Sequence, residues 1–245
     1  MAATKLIEAL RRQMRQRLKL DIISASNTTT LRHQLEQVLR AYRIDTVLDV
    51  GANEGQFAGQ VRALGFAGTI HSFEPVRQTF GLLQQKASGD AGWQCHHMAL
   101  GREPGRLTMN LSEFSSFNSM LAPNDFGAGR FHDQKVVGQE EVEVSTLDAF
   151  VAEQVPAGAR IFLKMDTQGF DLEVFAGGER SLDGVHVLLS ELSLMPIYTG
   201  MPRYTEALAA YEARGFSVSG FFPVNSNDDL SLIEADCLMV RRAAV

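Results

Sequence analysis

The chain of 245 residues is long enough for one α/β domain with a full hydrophobic core and too short for two large domains. Its formal net charge of −6 argues against broad nucleic-acid binding, because such binding needs a basic surface that neutralises phosphates. Cys95 and Cys237 lie in no C-x-x-C pair, which argues against a disulfide framework and a structural zinc site. Without a secretory signal or an apolar run of about 18 residues, we expect a cytoplasmic protein with no integral membrane segment.

Residues 4–20 are predicted to form a basic amphipathic helix. Its apolar side holds Ile7, Leu10 and Leu18, and arginines and lysines cover much of the rest. Such a helix packs on the domain or on a homodimer partner, or makes a peripheral contact with an anionic membrane, and we favour packing. After a polar break at 24–30, a second helix over 31–42 completes an N-terminal helical segment, 1–43. The remaining residues, 44–245, form the main domain.

The next element is a predicted strand, 46–50, that runs directly into a glycine-containing turn. Gly51 and Gly55 let the backbone turn tightly and approach a ligand, and the predicted helix 56–64 offers free N–H groups at its start. Asp49 and Asn53 replace glycines of the dinucleotide pattern G-x-G-x-x-G, which weakens a pyrophosphate site. A carboxylate at position 49 suits a cationic ammonium or sulfonium ligand instead. S-adenosylmethionine is such a ligand.

A second anchor for the same cofactor follows the predicted strand 69–73. Glu74 lies 25 residues after Asp49, where a carboxylate can accept hydrogen bonds from two ribose hydroxyls. After a helix at 76–86, the predicted strand 93–99 ends at Met98 and Ala99, which offer apolar surface to an adenine ring. Core packing explains these two residues equally well.

The remaining elements predict the fold class. Short strands at 106–111 and 140–144 flank a long polar loop, and alternation then resumes with strand 160–165, a helix from about 172, strand 185–190 and helix 203–214. The chain ends in an antiparallel pair, 216–222 and 236–241. This order predicts a Rossmann-like α/β fold with a mostly parallel seven-stranded sheet, an antiparallel C-terminal strand and helices on both faces.

Two carboxylates, Asp166 and Glu191, end neighbouring predicted strands. In an open parallel sheet ligands bind beyond these strand ends, so the pair is a candidate catalytic site. The two side chains would bind a hard cation such as Mg²⁺, or one of them would have a raised pKa and transfer a proton. A helix cap at Asp166 and an ordinary ion pair at Glu191 are the alternatives. Lys164, inside an apolar strand, would orient Asp166, contact substrate or form a buried pair.

The chain resembles the FkbM family of S-adenosylmethionine-dependent methyltransferases. Three blocks carry the likeness: D-V-G-A-N-E-G-Q-F at 49–57, F-E-P at 73–75 and K-M-D-T-Q-G-F-D at 164–171. The resemblance implies O-methylation of a hydroxyl on a sugar or other small-molecule or glycan acceptor, with Ser116 in a serine-rich loop bonding the cofactor. Gln168 stands where the family most often has glutamate. An NAD-dependent oxidoreductase and a non-catalytic cofactor-binding assembly protein remain the alternatives.

Overall fold

The computed structural model describes residues 2–18 and 30–242, which form eight α-helices and ten strands. The helices are α1 (Ala2–Leu18), α2 (Leu31–Ala41), α3 (Gln56–Ala63), α4 (Arg77–Ala87), α5 (Asp125–Arg130), α6 (Leu147–Gln154), α7 (Asp171–Ala176) and α8 (Tyr204–Ala213). The strands are β1 (Thr46–Val50), β2 (Thr69–Phe73), β3 (Trp93–His96), β4 (Ala99–Leu100), β5 (Gly105–Ser112), β6 (Val136–Ser145), β7 (Ile161–Met165), β8 (Val185–Ser193), β9 (Phe216–Ser226) and β10 (Leu232–Arg241).

Seven strands form the central sheet in the order β3-β2-β1-β7-β8-β10-β9. The pairings from β3 to β8 are all parallel, whereas β10 is antiparallel to both of its neighbours. This arrangement confirms the predicted Rossmann-like class with its single antiparallel C-terminal strand. It also places the carboxyl ends of β1, β2, β7 and β8 along one edge of the sheet, where such folds bind ligands.

Helices cover both faces of the sheet because its central strands are apolar on both sides. The three helices α2, α3 and α4 contribute one core, which includes Leu35, Val61 and Leu83. The helices α6, α7 and α8 contribute the other core, which includes Phe150 and Tyr211. The strands between these layers are held rigidly, so side chains at their carboxyl ends have fixed positions.

A second, three-stranded sheet has the order β4-β6-β5, and here the predicted strand 93–99 is wrong in its extent. β3 ends at His96, and Ala99 pairs instead with Val144 of β6. Strand periodicity alone cannot show this change of partner, because it does not indicate which strands pair with each other. The long loop predicted between β5 and β6 contains α5 and two 3-10 turns, Ser115–Phe117 and His132–Gln134.

The predicted N-terminal helix is present as α1, in which Ile7, Leu10 and Leu18 are each about half exposed. Positions 19 and 20 of that prediction, and 24–29 of the predicted polar break, lie outside the described residues. α2 packs into the core through Leu35, Val38 and Leu39 although it belongs to the predicted N-terminal segment. Among the described helices, none is long and apolar enough to cross a membrane.

Candidate active site

A cavity of about 250 Å³ opens at the carboxyl edge of the central sheet. The residues that line it come from β1, β2, β4, β5, β8, β9 and β10, from the serine-rich loop and from the turns after β1, β2 and β7. The polar residues around it are Asn53, Glu74, Ser115, Ser116, Asn118, Asp166, Thr167, Gln168, Glu191, Asn225 and Glu234. Three strand spacings of roughly 4.8 Å separate β2 from β8, so the cavity extends along this edge of the sheet across four strands.

The turn after β1 is shaped by Gly51, whose φ of +72° lies in the left-handed region. A Cβ atom at this position would lie 2.0 Å from the backbone oxygen of Asp166, so no other residue fits without moving the chain. The backbone N–H groups of Gly51 and Ala52 both donate to the Phe73 carbonyl oxygen, which holds the turn against β2. The glycine turn is therefore a fixed, close-packed wall of the cavity.

Glu74 lies directly beyond β2 and is 6% exposed. Its Oε2 accepts a hydrogen bond from the Asn53 N–H at 3.0 Å, and its Oε1 accepts one from the Val76 N–H at 2.9 Å. Burial raises the pKa of this carboxyl to about 7, even though both backbone hydrogen bonds favour the ionised form. A ligand whose hydroxyl groups donate hydrogen bonds to this carboxyl would stabilise its ionised form.

Asp49 lies beneath the cavity rather than on its surface, with no exposed area. Its Oδ1 is 3.1 Å from the Lys164 Nζ, and its Oδ2 accepts a hydrogen bond from the Ser72 hydroxyl at 3.1 Å. Lys164 also donates to the Gly51 carbonyl oxygen at 2.8 Å and lies 3.7 Å from Asp166. The lysine thus ties β1, the glycine turn and β7 together.

Lys164 is buried but keeps its charge. Burial disfavours the ammonium, yet the nearby charges of Asp49 and Asp166 outweigh this cost and raise the pKa of Lys164 above its ordinary value. A permanently protonated lysine cannot accept a proton during catalysis. Of the three roles that the sequence left open, the contacts favour the buried pair together with orientation of Asp166.

Asp166 and Glu191 face the same cavity and are connected by Gln168. The Gln168 side-chain amide donates to Asp166 Oδ1 at 3.1 Å and to Glu191 Oε2 at 3.0 Å. The Tyr198 hydroxyl, 3.0 Å from Gln168 Oε1, holds this amide from behind. Gln168 adopts a left-handed φ of +53°, which turns its side chain toward the two carboxylates. The adjacency expected for Asp166 and Glu191 is present, although β8 continues past Glu191 to Ser193.

The turn that carries Asp166 is clamped by Asp171, a residue to which the sequence gave no role. Asp171 Oδ1 accepts hydrogen bonds from both the N–H and the hydroxyl of Thr167, and its Oδ2 accepts one from Ser190. In the sequence, the only indication of a role for Asp171 was its place as the last residue of the K-M-D-T-Q-G-F-D block. Asp171 fixes the backbone from which Asp166 and Gln168 project.

Two further carboxylates on β10, Glu234 and Asp236, were missed as site residues. Asp236 pairs with Glu191 across the strands, and Glu234 lines the cavity while accepting a hydrogen bond from Asn225 at 2.8 Å. Burial and the charge of Asp166 raise the pKa of Asp236 to about 6. Burial likewise raises the pKa of Glu191 well above its ordinary value and that of Glu234 in the same direction. Two acids alternating within an apolar strand were the signal in the sequence.

The donor set does not fit the magnesium site that we considered for Asp166 and Glu191. The Gln168 amide N–H₂, a hydrogen-bond donor, lies between the two carboxylates where a cation would need oxygen ligands. Within the described part of the chain, no group of three or more His, Cys, Asp or Glu side chains is arranged to hold a metal ion.

The structure brings most of the predicted site residues to one cavity. Those that line it are Gly51, Asn53, Glu74, Ala99, Ser116, Asp166 and Glu191. The Ser115 hydroxyl donates to Asn53 Oδ1 at 3.1 Å, which joins the serine-rich loop to the glycine turn. Asp49, Gly55, Met98 and Lys164 do not line the cavity. Their predicted roles in binding or catalysis stay predictions.

Solved structures similar in fold include several methyltransferases. An rRNA methylase from Streptococcus thermophilus is 14% identical, with a TM-score of 0.47 and coverage of 88% of this chain and 99% of that one. A precorrin-6y C5,15-methyltransferase from Geobacter metallireducens is 9% identical, with a TM-score of 0.45 and coverage of 90% and 94%. Aeropyrum pernix fibrillarin bound to S-adenosyl-L-methionine is 13% identical, with a TM-score of 0.46 and coverage of 80% and 66%. These distant similarities carry no argument about the acceptor.

A comparison with curated proteins found no significant match. The family model described as the methyltransferase FkbM domain, in contrast, matches residues 49–218. This range begins at the Asp49 of the glycine-turn block and includes Glu74, Asp166, Gln168 and Glu191. The match covers more than half of the sequence. The chain therefore belongs to the FkbM family of S-adenosylmethionine-dependent methyltransferases.

Proposed function

We propose that this methyltransferase transfers a methyl group to a hydroxyl oxygen of a sugar or glycosylated metabolite, with Asp166 as the proton acceptor. The observation that carries the proposal is the position of Asp166 in the cavity, between the glycine turn on one side and Glu191 on the other. Its side chain is 42% exposed, so an acceptor hydroxyl can reach it. The preference for oxygen comes from the family and not from the geometry of this site.

The residues toward β2 suit S-adenosylmethionine. Glu74 would accept hydrogen bonds from the ribose hydroxyls, and the close-packed turn at Gly51 would let the backbone approach the methionine portion. Ala99 and Leu100 line the cavity with apolar surface for the adenine ring. When bound, the cofactor supplies an electrophilic methyl carbon on a sulfonium. Asp49 has no exposed area and does not line the cavity, so we propose that its charge acts through Lys164 and the turn.

The chain's own contribution is alignment and removal of a proton. Asp166 would accept the proton of the acceptor hydroxyl as that oxygen is methylated, and bound S-adenosylmethionine would supply the methyl group. Lys164 and Gln168 position Asp166 from opposite sides, at 3.7 Å and 3.1 Å respectively. Because Gln168 places a donor between the carboxylates, we propose that Mg²⁺ takes no part in this step.

The test is turnover of Asp166→Asn on a panel of sugar acceptors. The substitution keeps the shape and removes the charge, so we expect kcat to fall about 100-fold or more while cofactor affinity stays nearly unchanged. Asp183→Asn, an exposed carboxylate before the start of β8, is the matched control and should be as active as wild type. Near-normal turnover of Asp166→Asn in saturating acceptor would leave alignment as the main source of catalysis.

Chelation tests the metal independently. We expect EDTA to leave the activity of the wild-type enzyme unchanged, since a glutamine donor occupies the space between Asp166 and Glu191. Loss of activity in EDTA that added Mg²⁺ restores would contradict this part of the proposal. The cytoplasmic location and contact of α1 with a homodimer partner or a membrane also stay predictions.

A further inference from the structure

The acceptor end of the cavity is lined by a cluster of carboxyl groups. We define the acidic wall as Asp166, Glu191 and Glu234, which all line the cavity, and Asp236 adds a fourth carboxylate opposite Glu191 in the strand register. Like charges placed directly across two strands destabilise a sheet. Holding these acids close together therefore lowers the stability of the folded protein.

The protein supplies little positive charge to balance the acidic wall. In the described residues, no lysine, arginine or histidine lies within 4.0 Å of a Glu191 or Glu234 carboxylate oxygen. Lys164 lies closer to Asp49, at 3.1 Å, than to Asp166, at 3.7 Å. Gln168 and Asn225 donate neutral hydrogen bonds to the wall. The wall thus retains unbalanced acceptors.

Glu234 gives a second, independent sign that something binds here. The residue is 2% exposed, and Oε2 is bonded to Asn225, whereas Oε1 is buried with no hydrogen-bond partner among the described residues. An orphaned buried carboxylate oxygen is costly in a protein without a ligand. Because Glu234 lines the cavity, a donor group bound there would lie beside this carboxyl group.

We propose that the acceptor carries a protonated amine and that Glu234 and Glu191 bind this ammonium while Asp166 faces the hydroxyl to be methylated. The inference rests on the proposed function and narrows its acceptor to an amino-substituted sugar or a similar amino alcohol. An ammonium has three hydrogen-bond donors and one positive charge. The donors suit the unpaired carboxylate oxygen, and the charge suits the acidic wall. A neutral sugar hydroxyl supplies one donor and no charge. A divalent metal fits poorly because Gln168 presents a donor to it.

The experiment compares three probes that differ at one carbon: glucosamine, N-acetylglucosamine and glucose. Their affinities are measured at pH 7 on the full chain, after calorimetry has shown that it is saturated with S-adenosylhomocysteine. We expect glucosamine to bind about tenfold or more tightly than either neutral sugar, as for a charge-assisted hydrogen bond. The preference should disappear in Glu234→Gln and weaken in Glu191→Gln, while Glu153→Gln, an exposed acid on α6, keeps it.

Stability provides a second readout that does not depend on the probe. Glu234→Gln removes one charge from a crowded acidic group, so the melting temperature of the chain without ligand should rise by about 2–4 °C. Equal affinity for the three sugars, no detectable sugar binding, or an amine preference retained in Glu234→Gln would overturn the inference while leaving cofactor binding intact. Displacement of glucosamine by Mg²⁺ alone would also overturn it. Failure to bind S-adenosylhomocysteine would instead overturn the proposed function on which it rests.

Discussion

At the scale of single residues, two opposing effects set the charge of Glu74. Burial favours the neutral carboxyl, and two backbone hydrogen bonds favour the carboxylate. Burial dominates and raises the pKa to about 7, so a substantial fraction of the carboxyl is protonated near neutral pH before any ligand binds. Ribose hydroxyls that donate to the carboxylate favour its ionised form. Cofactor binding should therefore release a proton from this group.

This linkage predicts a pH-dependent cofactor affinity. As pH falls from about 7 toward the ordinary value near 4.5, more of the free protein carries neutral Glu74, and the affinity for S-adenosylhomocysteine should fall. The same raised pKa makes the free protein's stability contribution from Glu74 largest below about 4.5 and smallest above about 7. Calorimetry at pH 5.5, 6.5 and 7.5 measures the affinity. Glu74→Gln should bind weakly with a flatter profile, and a wild-type profile as flat as the variant's would contradict the assignment.

A second residue-scale prediction concerns the buried pair of Asp49 and Lys164. Lys164→Met leaves Asp49, which has no exposed area, with Ser72 as its hydrogen-bond donor, and should lower the free energy of unfolding by about 3–5 kcal/mol. The double variant Asp49→Asn, Lys164→Met removes both charges and should recover much of that loss. Urea denaturation of wild type, the single variant and the double variant measures these free energies of unfolding. A loss below about 1 kcal/mol in the single variant would show that the pair does not stabilise this site.

The sequence located the residues that follow strands, because strand ends can be read from apolar runs and the turns after them. Glu74 and Asp166 were found in this way, and both line the cavity. The partnership of Asp49 with Lys164 could not be predicted, since it depends on the register of β1 against β7. Glu234 was missed because it lies inside a strand, and its place at the cavity depends on the pairing of β10 with the distant strand β8.

At the scale of elements, the turn between β1 and α3 forms a close contact with the turn after β7. The contact depends on Gly51, because a Cβ atom there would lie 2.0 Å from the Asp166 backbone oxygen. The start of α3 follows Gly55, which adopts a left-handed φ of +79° and has no side chain to cap the first N–H groups of the helix.

Gly51→Ala should therefore abolish cofactor binding and reduce stability. The matched control is Gly81→Ala on the exposed side of α4, where a new Cβ atom meets nothing within 4 Å and alanine favours the helix by about 1 kcal/mol. Cofactor calorimetry and thermal melts of both variants test the contrast. Wild-type affinity in a folded Gly51→Ala protein would show that the turn does not contact the cofactor.

The hydrophobic periodicity of the sequence was sufficient to predict most strands of the central sheet, since each strand and its following helix differ clearly in pattern. It failed after β3, where Ala99 leaves the central sheet and pairs with β6. Pairing of this kind depends on contacts between residues that are distant in sequence. Strand periodicity does not predict which of two sheets a short strand joins. α6 was also missed, although Thr146, whose side chain accepts a hydrogen bond from the Ala149 N–H, was an available start signal.

At the scale of the whole molecule, charge is distributed unevenly along the cavity. Its β2 end has the single carboxyl Glu74 beside apolar walls, whereas its β8–β10 end carries the acidic wall. The strand order separates these two ends, and Asp166, which follows β7, is the member of the acidic wall nearest to the β2 end. This division suits a reaction between two molecules, with the cofactor at one end and the acceptor at the other.

The central claim is that the β2 end of the cavity binds S-adenosylmethionine. Its most direct test is a calorimetric titration of S-adenosylhomocysteine into wild type and into Glu74→Ala, with NAD⁺ as the comparison ligand. We predict binding to wild type, a loss of about 1.5–3 kcal/mol of binding free energy in Glu74→Ala, and no tight binding of NAD⁺. Equal affinity of the two proteins for S-adenosylhomocysteine, or tighter binding of NAD⁺, would contradict the claim.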